Sequence, residues 1–224
     1  MKISHRKSPA FTLIELLVVI SIIAILASIA SPALIGALKN GKISRATADA
    51  RQVALSLQLY AQDHDGAYPS ERSDTGENIS SANDAFRCLF PNYLKNEKIF
   101  SVAGSPVGKS ADNNISSPAE ILKAGENHWA YVAGLNTTSD SEWPLVVDHT
   151  DGGGTYGLKE TEAGGTWGGI KAIVVHVDTS ATAVLLAGAG SRRYIARTDD
   201  KSKNLLNVSD YAGKGSRLLE PVKQ

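Results

Sequence analysis

Apolar and polar positions divide the start of this chain into two regimes. From Leu16 to Leu38 no side chain is charged, and Lys39 is the next ionised group. At ~1.5 Å per residue that run makes roughly 35 Å of helix, enough to cross the hydrocarbon core of a bilayer. Beyond it, Ile43, Ala46, Ala50, Val53, Ala54, Leu57, Tyr60 and Ala61 recur at spacings of three and four, with Lys42, Arg45, Asp49, Arg51, Gln52 and Gln58 between them. The pattern predicts one helix from Phe11 to about Gln62, roughly 78 Å long, apolar all round in its first half and amphipathic in its second. Pro32 cannot donate to the Ser28 carbonyl and crowds it, so a kink or local loosening is expected there, with Gly36 adding to it. Asp63-His64-Asp65-Gly66-Ala67-Tyr68-Pro69 ends the helix: Gly66 suits the left-handed cap position and Pro69 forbids continuation.

The remainder changes period. Ser70 to Asp84 is polar and reads as a loop. A short helix follows, capped by Asn83 or Asp84, with Phe86, Leu89, Phe90, Tyr93 and Leu94 on one face and Pro91 as a break. Ser105 to Pro118 is a second loop, and Glu120 to Ala124 is expected to form one helical turn. His128–Gly134, Leu145–Asp148, Ile170–Asp178 and Ala181–Ala187 are rich in β-branched or aromatic residues and read as strands. The last two runs form a hairpin around Asp178-Thr179-Ser180. Thr150 to Gly169 carries eight glycines in twenty positions and is expected to have no core of its own. Leu205 to Gln224 reads as a polar tail that wraps the head or lies loose. The fold class is therefore α+β: a long N-terminal helix with an antiparallel sheet packed on its outer half.

Charge and cysteine content narrow the compartment. The chain has 23 basic and 23 acidic side chains, with no basic stripe or aromatic-interleaved cluster, so no nucleic acid is expected on the head. Cys88 is the only cysteine, which rules out an intrachain disulfide in an oxidising space. Met1 to Ala10 carries Lys2, Arg6 and Lys7 and no acid, which keeps this end in the cytoplasm and sends the rest outward. Cleavage after the apolar run, near Ala27 or Ala30, is one reading of such a start. However, a small residue also precedes the run, at the Ala10–Phe11 junction, and an acid, Glu15, follows it. A lone carboxylate at mid-membrane costs about 2.5–3.5 kcal/mol on insertion scales, so Glu15 is expected to find its partner outside its own chain.

The stretch Ala10-Phe11-Thr12-Leu13-Ile14-Glu15-Leu16-Leu17 resembles the N-terminus of type IV prepilins and type II secretion pseudopilins: a short basic leader, a small residue, then F-T-L-I-E-L. Ala10 departs from the glycine that these proteins usually carry before the cut. Pro32 falls where the family commonly has a proline, and the Tyr60–Pro69 segment is similar to the region after the long helix in major pseudopilins. The resemblance implies that a prepilin peptidase cuts after Ala10 and methylates the new amine of Phe11, and that Glu15 pairs with the Phe11 amine of a neighbouring subunit. It implies residues 1–10 as removed leader, 11–38 as membrane and filament-core helix, 39–64 as amphipathic helix and 65–224 as exported head. The partners it implies are copies of itself or other pilins, an inner-membrane assembly platform and membrane lipid. The chain would be single-pass in the inner membrane, then part of a periplasmic or cell-surface filament. Many type IV pilins close their C-terminal region with a disulfide and type II major pseudopilins commonly do not, so the single cysteine leans toward a pseudopilin.

Other chemistry has weaker footing. Asp151-Gly152-Gly153-Gly154-Thr155 lacks the following lysine and helix start that phosphate-binding loops need. Asp63, His64 and Asp65 read as a solvated helix end. His128, His149 and His176 lie in or beside expected strands and could serve an anchored, exported enzyme, although no nucleophile elbow supports one. Major pseudopilins often hold calcium in a C-terminal loop, and Asp148, Asp151, Asp199 and Asp200 are the oxygens available for one here.

Overall fold

The computed structural model describes residues 12–73, 76–107, 110–190, 192–213 and 215–223. The first helix, α1 (Leu13–Asp63), runs without interruption through Pro32. The chain divides into two compact units, Met1–Gly41 and Lys42–Gln224. In the first, every residue from Thr12 to Leu38 is exposed.

In the second unit the amphipathic stripe of α1 is the centre of the core. Ala50, Val53, Ala54 and Leu57 are fully buried, and the whole predicted stripe from Ile43 to Ala61 is buried. α1 stops as its C-terminal chemistry dictates: the Gly66 amide reaches back to the Ala61 carbonyl at 2.8 Å, with Asp65 and Gly66 both at positive φ. His64 stacks on Tyr60 at 3.7 Å between ring centroids, and Asp63 accepts from the Tyr93 hydroxyl at 2.7 Å. The helix end is thus built on aromatic and polar contacts of its own.

The second helix, α2 (Ala82–Arg87), starts earlier than the sequence suggested. Ser81 is the cap, and Asp84 is the acid three residues on that returns the bond to the Ser81 amide at 2.9 Å. Asn83, one of the expected caps, is buried and bonds the Leu122 carbonyl instead. Phe86 packs against Phe100 and Tyr131, at 5.1 and 5.5 Å between ring centres.

Five strands form one antiparallel sheet: β1 (Trp129–Ala133), β2 (Pro144–Asp148), β3 (Lys171–His176), β4 (Ala181–Leu185) and β5 (Arg217–Leu219), in the order β4-β3-β2-β1-β5. The β3–β4 hairpin turns where expected, with Thr179 at φ 64°. β1 and β2 are buried at every position because both faces of the sheet are covered. Tyr131, Ala133, Ile173 and Val175 join the core that includes α1. The alternate residues Ala130, Val147, Ala172 and Val174 pack with Tyr156, Ile195 and Leu206 in a second cluster.

Three expectations are corrected. The glycine-rich stretch contributes Tyr156 and Trp167 to the interior, and a Cβ at Gly165 would lie 1.8 Å from the Lys159 carbonyl oxygen, so its glycines permit close backbone packing. Glu120–Ala124 forms turns rather than a helical turn, with Leu122 at φ 48°. The expected tail supplies β5, which pairs Leu219 with Tyr131 and Arg217 with Ala133 at the sheet edge.

Candidate functional site

Two places carry chemistry, and each belongs to its own unit. In the first, Thr12 and Glu15 form a reciprocal cap at the start of α1. The Glu15 amide donates to Thr12 Oγ1 at 3.2 Å, while Glu15 Oε2 accepts from the Thr12 amide at 2.9 Å and from the Thr12 hydroxyl at 2.8 Å. The chain therefore supplies Glu15 with two donors of its own, but both are neutral, and the carboxylate's charge is not matched by them. Ala10 and Phe11 lie outside the described residues. On either side of Glu15, Leu13, Ile14, Ile29 and Ile35 are among the large apolar side chains left more than half exposed. This is the one described helix long and apolar enough to cross a membrane. Ser21, Ser28 and Ser31 are the polar exceptions, and each turns its hydroxyl onto a carbonyl of the preceding turn at 2.7–2.8 Å, so none presents an unpaired donor to an apolar surrounding.

In the second unit, Asp148 ends β2 and collects three donors. Its Oδ1 lies 2.6 Å from His128 Nε2, and its Oδ2 accepts from Trp167 Nε1 at 2.9 Å and from the Ile173 amide at 2.6 Å. The other ring nitrogen of His128 lies 2.8 Å from Ser105 Oγ. Ser105, His128 and Asp148 thus form a linked chain of the residue types used in nucleophilic hydrolysis. The cavity beside Ser105 and His128 measures about 10 Å³, the space of one water at most. The chain of bonds holds the loop carrying Ser105 to β1 and β2; it leaves no room for a substrate. His149 packs edge-on against His128 at 4.8 Å, and its Nε2 accepts the Gly164 amide, which places the ring proton on Nδ1, a buried donor without a partner. Burial, then the neighbouring His128, pushes the His149 pKa down to about 2, so its ring is neutral. His176 is apart from this pair, beside Ser180 in the β3–β4 turn at 3.2 Å.

The four aspartates read as calcium oxygens are separately engaged. Asp148 is held as described. Asp151 accepts from the Gly153 and Thr155 amides and the Thr155 hydroxyl, and lies 3.5 Å from Arg192. Asp199 pairs with Arg197 at 2.6 Å, and Asp200 accepts from Ser202 and lies near Lys203. Among the described residues, the group of acid, histidine or cysteine side chains whose ligating atoms lie within 4.8 Å of one another is Glu97, Asp112 and Glu126. None of these three stands out in the sequence, because no motif spacing joins them. Glu97 sits among lysines and asparagines that read as surface, whereas Asp148, His128 and His149 were visible beside apolar strands.

Residues 5–31 match the family model described as the prokaryotic N-terminal methylation motif. The chain carries a prepilin-type N-terminus. The motif takes in Arg6, Lys7, Glu15 and most of the exposed apolar run, which are the features that set this end apart from an ordinary anchor. It supports a pilin-like or pseudopilin subunit and points to a structural role. It implies processing by a prepilin peptidase and assembly in filaments, and with the apolar helix it fits a membrane-anchored pilin. No curated protein and no solved structure matches the chain.

Proposed function

We propose that this protein is a pseudopilin, a structural subunit of a type II secretion pseudopilus that supports protein export. The observation that carries the reading is the prepilin-type motif on a helix whose residues from Thr12 to Leu38 are all exposed. So long an apolar surface must be covered by lipid or by other helices, and a filament supplies each in turn. In this reading the peptidase removes Met1 to Ala10 and methylates the Phe11 amine while the N-terminus faces the cytoplasm. The inner-membrane platform then extracts the subunit, and Glu15 moves from its Thr12 cap to the Phe11 amine of a neighbour. An opposite charge removes the penalty that neutral donors leave in place. Single-cysteine chemistry favours the pseudopilus over the type IV pilus, whose heads are commonly disulfide-closed.

Intact-mass spectrometry of the native membrane and sheared-filament fractions tests the processing step. A chain beginning at N-methylated Phe11 is expected; a chain that retains Met1 or begins near Ala30 overturns the reading. Deletion in the native host separates the two filaments: loss of exported enzymes with surface pili intact supports the pseudopilus, and the reverse supports a pilus.

A further inference from the structure

We propose that Glu97, Asp112 and Glu126 form a calcium site that ties the 3-10 turn Glu97–Phe100 to the loop before β1 in the head. Glu97 is the centre of the argument. Its side chain is fully buried, at 0 % exposure, although it is flanked in sequence by Asn96 and Lys98. Its Oε1 accepts the Leu122 amide at 2.6 Å, while its Oε2 is buried with no hydrogen-bond partner at all. A carboxylate oxygen sealed from water without a donor is costly, and native structures rarely retain one unless an ion or a proton is meant to sit there.

The neighbours make an ion the better occupant. Glu97, Asp112 and Glu126 each bring one oxygen within 4.8 Å of the others. Calcium takes six to eight oxygens in flexible geometry, whereas magnesium demands a near-ideal octahedron, so carboxylates brought together by loops suit calcium better. All donors are hard oxygens, with no nitrogen or sulfur to favour zinc. One oxygen of each neighbour is held by a backbone amide: Glu126 Oε2 accepts the Lys123 amide at 2.8 Å, and Asp112 Oδ1 accepts the Asn114 amide at 2.8 Å. These bonds orient the carboxylates, as the outer partners of metal ligands do. Lys123 Nζ lies 2.8 Å from Asp112 Oδ2 and 3.0 Å from Glu120 Oε2 on the exposed side. It offsets part of the negative charge at the rim but does not reach the buried Glu97 Oε2, which has no partner.

The site uses none of Asp148, Asp151, Asp199 and Asp200. It also lies where the head needs a clamp. The described residues of the 97–126 segment form no strand and no α-helix, yet they position Phe100 and Leu122, both fully buried.

The test uses the full chain purified in detergent and stripped with a chelator. Calcium titrated by calorimetry is expected to bind at one site, and millimolar calcium is expected to raise the thermal midpoint by several degrees. Glu97→Gln keeps an oxygen for the Leu122 amide and places an NH₂ group among the remaining carboxylates, so it should fold. Its calcium affinity should fall at least tenfold and its thermal response should disappear. Glu126→Gln gives the same reading through a second ligand if the first variant is unstable. The double variant Asp199→Asn/Asp200→Asn should bind as the parent does. Absence of calcium binding in the parent overturns the proposal and leaves Glu97 as a carboxyl that holds its own proton. Unchanged binding in both ligand variants, loss of binding in the Asp199/Asp200 variant, or an equal response to magnesium overturns it as well.

Discussion

At the scale of single residues, burial decides what each charged or polar group can do. His149 is neutral because its ring is buried and faces His128. Its folded pKa of about 2 lies below the ~6.5 of an exposed histidine. As pH falls through 6.5 the unfolded chain takes up a proton that the folded chain refuses, so stability is lost on the acid side and the contribution is flat above it. The expected slope is up to about 1.4 kcal/mol per pH unit. Urea unfolding of His149→Gln between pH 4 and 7 should show a shallower slope than the parent; equal slopes would assign the acid sensitivity elsewhere. Glu220 works with the opposite sign. Burial pushes its carboxyl up, against the hydrogen bonds from Thr150, so its contribution is complete below its ordinary range and declines as pH rises through the raised value. Gly134 shows backbone limits at the same scale. It sits at φ 87° with a would-be Cβ 2.6 Å from the Gly215 carbonyl oxygen, so Gly134→Ala is expected to cost about 2 kcal/mol or more of unfolding free energy by chemical denaturation.

At the scale of elements, the long helix was legible and the C-terminal strand was not. Eight positions from Ile43 to Ala61 announced the buried stripe of α1, because a helix must bury one face at a period of 3.6 and nothing else in that segment competes. Four strands were legible for a similar reason: β1, β2 and β3 are continuous apolar runs, and β4 follows β3 through a short turn. β5 is only Arg217-Leu218-Leu219, too short to show any period, and its strand character comes from the open edge of β1. The residues around it also hold distant parts together. The Ala82 amide donates to the Glu220 carbonyl, Gly125 to the Val222 carbonyl, and Val222 to Asn83 Oδ1. Thr150 bonds the Glu220 carboxylate through both its amide and its hydroxyl. Truncation after Ser216 therefore removes an edge strand and the shared partner of α2, the loop before β1 and the loop after β2. The shortened chain should lose its cooperative unfolding transition and be cut in the head by low protease, as followed by limited proteolysis; a head as resistant as the parent's would show this segment to be dispensable. The candidate site divided the same way. Glu15 was visible because a single acid stands out in an apolar run, whereas Ser105 joined His128 and Asp148 only through a loop whose path no pattern encodes.

At the scale of the whole molecule, the two units have different requirements. The head buries its own apolar surface on both sides of the sheet, while the N-terminal unit leaves its surface bare for others to cover. In the filament reading Glu15 matters to assembly and not to the head. Glu15→Val should therefore still be processed and inserted, with head unfolding unchanged, while sheared filaments fall at least tenfold on immunoblots. Normal filament yield from that variant would remove the charge pair from the account. What the sequence determined by itself was whatever local periodicity and covalent chemistry control: a helix long and apolar enough to cross a membrane, its amphipathic continuation, an N-terminal methylation motif and a run of strands. Tertiary structure alone decided that β5 completes the sheet, that the glycine-rich stretch is packed, and that Glu97, Asp112 and Glu126 meet. Those outcomes depend on which distant groups share a space, and burial turns such proximity into energy only after the chain has folded.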